Sequence, residues 1–150
     1  MSAFIDLELA IVARLETKLA SLSPKPRIYS GADLENIKDR SHGDASVFVA
    51  YNGITSVEPL QGAPSIATIT TEYLIWIVTR SASRHASGQG VREGADDIVV
   101  AVIDALMGWR KNSETPALGM TTAPAQVYTN GFGWFPLAFQ CRRQARGNPN

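Results

Sequence analysis

Over residues 3–22 the apolar side chains Phe4, Leu7, Ile11, Val12, Leu15, Leu19 and Leu22 recur at spacings of three and four, with Asp6, Glu8, Arg14, Glu16 and Lys18 placed elsewhere. That period predicts an amphipathic helix of about 20 residues, capped by Ser2 and ended by Ser23-Pro24 and Pro26. Its polar positions carry both signs, which suits packing on a core and not lying on a membrane surface. A second stripe, Ile98, Val99, Val102, Ile103, Leu106 and Met107, predicts another helix over 94–110. Asp96 and Asp97 fall in its first turn on this reading, where the helix dipole favours anions.

Elsewhere the period drops to two. Strands are predicted at 27–29, at 46–51 (SVFVAY) and, most strongly, at 67–79 (ATITTEYLIWIVT). In the last of these, Leu74, Trp76 and Val78 point to one face and Tyr73, Ile75 and Ile77 to the other. Both faces are apolar, and two helices cover one face well, so the other is expected to be buried by another molecule. Residues 126–129 and 134–142 predict a terminal hairpin around Asn130-Gly131-Phe132-Gly133, with Pro136 marking an edge or bulge. The stretches 30–46, 54–65 and 81–93 are rich in Gly, Pro, Ser and Asp and read as long loops, the second of them following an Asn52-Gly53 turn. Loops of that length are usually functional or ordered by a partner.

Length and composition narrow the class. The 150 residues, 45% hydrophobic and 19% charged, correspond to one domain over 1–150, with 143–150 expected to be a flexible tail. The longest apolar stretch, 73–78, is far short of a bilayer span, and acids stand where a signal peptide would carry Lys or Arg. The single cysteine, Cys141, excludes an internal disulfide, so assembly in the cytoplasm is expected. Zero net charge argues against a protein whose main partner is a polyanion. Residues 1–75 nevertheless hold six basic and nine acidic side chains, and residues 76–150 hold eight and five. Such polarity suits head-to-tail packing of copies, or two solvated halves.

Candidate chemistry is sparse. His42 and His85 lie in predicted loops with no rigid element to position them. Cys141 shares a strand face with Leu137 and Phe139 and reads as a small core side chain. The segment Gly88-Gln-Gly90-Val-Arg-Glu-Gly94 precedes a helix as a phosphate cradle would, but its glycine spacing is wrong and Glu93, Asp96 and Asp97 would repel the anion. What stands out is arginine: Arg80, Arg84 and Arg92 around the 81–93 loop, and Arg142, Arg143 and Arg146 near the C-terminus. These are candidates for a subunit interface or for a channel wall that nucleic acid passes, with a solvated surface as the plain alternative.

The order of elements is similar to one family. A helix, a long loop, Val47-Phe-Val-Ala-Tyr-Asn-Gly53, a Trp76 strand ending in Arg80, Ala105-Leu-Met-Gly-Trp-Arg110 closing a helix, and a final Trp134-Phe-Pro-Leu-Ala-Phe139 strand resemble the Mu-like phage tail terminators, the K protein family, over residues 4–141. The stretch 119–125 and the 130–133 loop fit the variable region before the last strand of such proteins. The resemblance implies an α/β (α+β) subunit with two helices on one face of a mixed, mainly antiparallel sheet of four to five strands. It implies a virion protein that assembles as a hexameric ring, caps the tail tube, stops its polymerisation and offers the surface for the neck. The partners implied are further copies, the tail tube protein, neck or connector proteins, the tail sheath and passing DNA in the lumen, with no membrane. No cofactor, metal or catalysis is implied. A head-completion or head-tail connector adaptor is the alternative role, and a small-ligand enzyme would need a convergent polar cluster that the sequence does not supply.

Overall fold

The structure, a computed structural model, describes residues 3–23, 25–31, 45–80, 89–129 and 131–149. Helix α1 spans Ala3–Lys18 and α2 spans Gln89–Leu106. The strands are β1 (Arg27–Ser30), β2 (Ala45–Leu60), β3 (Ala63–Arg80), β4 (Gly119–Thr121), β5 (Val127–Thr129) and β6 (Phe132–Arg146). They form one sheet in the order β1-β2-β3-β6-β4, with β5 also on β6. Among the described residues, β1 and β2 alone run parallel and the other pairings are antiparallel. The two-helix, mixed-sheet reading holds, with six strands instead of four to five. The extra strand, β4, is the tripeptide Gly-Met-Thr at the start of the 119–125 stretch, too short to carry a periodic signal.

Both helices pack on one face. Leu7, Ile11, Leu15 and Leu19 of the first segment and Ile98, Val102, Ala105 and Leu106 of α2 close over Val47, Val49, Tyr73, Ile75, Ile77, Phe135 and Phe139. Arg14 ties the helices together: its Nε donates to the Ala105 carbonyl at 3.0 Å, one of the acceptors left free at the end of α2, and its guanidinium lies 5.4 Å from the centre of the Trp109 ring. Helix α2 begins at Gln89, five residues before its predicted start, so Asp96 and Asp97 are exposed mid-helix residues and not first-turn anions. The helix is closed by Gly108, whose φ of 78° is left-handed and whose N–H reaches the Leu118 carbonyl at 2.8 Å.

The second face of the sheet is not simply left open. Phe48, Leu74 and Val78 are buried; on the same face Tyr29, Phe48 and Trp134 stack in series, with ring centres 5.2 and 6.0 Å apart, and Trp76 meets Trp134 edge-on at 6.4 Å. The expectation that neighbours must cover this face is therefore corrected for most of it. What stays open is a groove of about 350 Å³ lined by Phe48, Ala50, Trp76, Val127 and Trp134. Gly31 stands at its edge, where an added Cβ would lie 3.2 Å from that of Ala50.

The largest departure from expectation is at 54–65. Asn52-Gly53 is a bulge in a continuing strand and not a hairpin turn: Gly53 takes a φ of 93° and the ladder shifts register between Tyr51 and Ile54. Strand β2 then runs on to Leu60, turns at Gln61-Gly62, and returns as β3. Pro59 is tolerated because β2 is an edge strand there among the described residues. Strand β6 follows β3 to the pair Ile66↔Arg146, and the Gly147 N–H adds a bond to the Ser65 carbonyl at 2.7 Å. Residues 143–146, expected within a flexible tail, are ladder-paired strand. Pro136, expected at an edge or bulge, is instead opposite Trp76 of β3 in the interior of β6, between the stretches that β5 and β4 pair; having no N–H, it gives the ladder no donor there.

Candidate assembly site

Beyond the helices, residues 54–60 of β2, 63–70 of β3 and 142–146 of β6 make a three-stranded arm. Among the described residues, β1 pairs with β2 only at Ser46–Val49 and β4 with β6 only at Ala138–Gln140, so both edges of the arm are open. One face of the arm carries Glu58, Thr68, Thr70, Arg142, Gln144 and Arg146. The other continues the helix-side face and carries Val57, Ala67, Ile69, Arg143 and Ala145 in register. Ile54, Val57 and Leu60 are each about half exposed.

The root of the arm is fixed by α1. Glu8, expected on the polar side of the helix, is 8% exposed, and its Oε1 accepts the Tyr51 N–H at 3.0 Å, beside the bulge. A bulge frees a backbone donor, and this carboxylate satisfies it. The signal was in the spacing, since Glu8 stands four residues after Phe4 and seven before Leu15, on the apolar stripe itself. Phe4 stacks on Tyr51 at 5.5 Å, and the Tyr73 hydroxyl donates to the Phe4 carbonyl at 3.0 Å.

Burial pushes the Tyr73 hydroxyl from 10.0 up to about 12, against the opposing effect of the nearby Arg143 charge. The folded chain therefore holds this proton to a higher pH than the unfolded chain does. Its contribution is complete below pH 10 and is lost between about pH 10 and 12, a decline of about 2–3 kcal/mol. Tyr73→Phe should remove that part of the alkaline decline while costing about 1 kcal/mol near neutrality for the lost hydrogen bond. Urea titrations of both proteins at pH 8 and pH 11 give the comparison; an equal decline in the two would refute it.

The arginines singled out in the sequence do not converge. Arg80 is exposed at one end of β3, 5.9 Å from the centre of the Phe132 ring. Arg142 lies ten ladder positions away along β6, a separation of about 33 Å. Arg142 bonds Glu58 at 2.9 Å, an exposed pair worth at most about 1 kcal/mol. That pair brings one acid of the acidic half of the sequence to one base of the basic half. Arg143 points to the helix side, its guanidinium 5.2 Å from the centre of the Phe4 ring. Its Nε is buried and has no hydrogen-bond partner. The backbone of Arg92 is in the first turn of α2, and Arg84 lies outside the described residues, as do His42, His85 and Gly88.

Cys141 is wholly buried, its Sγ 3.7 Å from the Pro116 carbonyl, in the core role its strand position implied. No group of three or more His, Cys, Asp or Glu side chains able to hold a metal occurs among the described residues, and no helix there is long and apolar enough to cross a membrane. The family model for "Phage tail terminator protein" matches residues 1–149, and the chain belongs to that family. It is a structural protein of the phage tail, and its place is the virion. The fold is shared with a chain of a solved structure titled "Virion of native gene transfer agent (GTA) particle", at a TM-score of 0.56 and 15% identity, covering 98% of this chain and 100% of that one. No curated protein matches the sequence.

Proposed function

We propose that copies of this chain close into a hexameric ring on the end of the finished tail tube, where the ring stops tube growth and presents the surface that meets the neck. The observation that carries this reading is the arm, a three-stranded extension with two open edges and half-exposed Ile54, Val57 and Leu60. Open edges and clustered apolar side chains are costly for a chain that works alone and useful for one that docks. Contacts between unlike surfaces of successive copies form a ring when the rotation per copy closes. Once seated, the ring occupies the surface on which the next tube subunit would land, so elongation ends because the position is filled. Binding free energy drives the step, with no cofactor and no catalysed reaction.

In this arrangement Arg80, Arg84, Arg92, Arg142 and Arg143 serve contacts with neighbouring copies or line the lumen, where DNA passes with brief, salt-sensitive contacts. In a contractile tail the sheath is a further partner. The test is the native mass of the protein alone and with purified tail tubes, followed by electron microscopy of tube ends. A sixfold multiple of the 16.2 kDa chain seated on the tip is expected, and tubes grown without the protein should overrun their normal length. A chain that stays single beside tube ends, or that sits against the head portal, overturns the reading.

A further inference from the structure

We propose that the outward flank of α2 on one copy packs against the helix-side face of the arm on the next copy, with Asp104 of the first meeting Arg143 of the second; this rests on the ring reading above. Asp97, Val100 and Asp104 of α2 and Met107 just past its end recur at spacings of three and four, on the side opposite Ile98, Val102 and Ala105, which face the sheet. Val100 and Met107 are 58% and 57% exposed. The stripe therefore alternates anion and apolar side chain and looks away from its own core, and among the described residues neither Asp97 nor Asp104 has a cation of its own chain within 4.0 Å.

The arm offers the complement. Val57, Ile69 and Arg143 form one cross-strand row, in which Val57 is 56% exposed. Arg143 is held among Phe4, Ile69 and Cys141 with no carboxylate within 4.0 Å among the described residues, and its buried Nε is unpaired. A half-buried guanidinium without a counter-charge is costly, and a carboxylate delivered from outside relieves that cost and gives the contact its register. A stripe of acid between two apolar side chains fits a row of cation beside an apolar one. Both halves are present once in every chain, on different elements, so the contact is between unlike surfaces and can propagate round a ring.

The test uses full-length Val57→Cys and Val100→Cys proteins, each alone and mixed, incubated with tail tube ends and treated with a short bismaleimide. Cys141 is buried, and the unaltered protein serves as the control for its silence. A two-chain product specific to the mixture is expected. Asp104→Arg, at an exposed position, should lower its yield by about tenfold or more. Rings that form without this product, a product equally abundant from either variant alone, or capture of tube protein instead would overturn the contact while leaving the ring reading in place. Protein that remains single-chain at every tube end would overturn both.

Discussion

Phe139→Ala is expected to destabilise the chain by about 3–5 kcal/mol and to lower its thermal midpoint by on the order of 10 °C. Phe139 is wholly buried on β6, paired with Tyr73 of β3 on one side and Met120 of β4 on the other. Its ring lies in the layer between the sheet and the two helices, so truncation opens a cavity that neither the sheet nor the helices can close without losing contacts elsewhere. The β6 backbone keeps its ladders, which confines the loss to packing. Thermal unfolding followed by circular dichroism reads the effect; a shift below about 3 °C would mean that the side chain is not part of the core.

Ending the chain at Arg142 should cost assembly more than it costs the fold. The truncation removes four ladder pairs, Ile69↔Arg143 through Ile66↔Arg146, and leaves that length of β3 paired only with a bulged β2. It also removes Arg143 from beneath Phe4. A two-stranded ribbon with little apolar cover is marginal in water. Amide exchange over 54–70 should therefore accelerate by orders of magnitude while exchange in 73–78 and α1 changes little. Ring formation at tube ends should be lost. If residues 143–150 were a dispensable tail, exchange and assembly would both match the full chain, and this account of the arm would be wrong.

Much of this architecture was legible because burial writes a period into sequence. The two helices, the strand 67–79, the terminal hairpin and the core position of Cys141 all follow from spacings of three and four, or two. The arm escaped because its distal half faces solvent on both sides, so β2 from Ile54 onward shows no alternation of burial to read. Glu58-Pro59 and Pro64 then imitate a loop, although a proline on an edge strand breaks no ladder bond. Glu8 escaped for the opposite reason: a lone carboxylate on an apolar stripe looks like a solvated charge until the backbone donor it satisfies, 43 residues away, is in place. The arginines were visible as a composition bias along the chain, but sequence proximity to a loop does not bring them together when β3 and β6 carry them to opposite ends of the sheet.

The register shifts of β2 carry one more consequence. Three irregularities fall between Tyr51 and Leu60, on the strand whose outer side is open. A straight, regular margin would accept almost any extended segment and invite unlimited fibre growth, whereas a kinked one admits only a mate with matching offsets. Irregular spacing at an open edge thus narrows the range of extended segments that could pair along its whole length, at a small loss of backbone bonding.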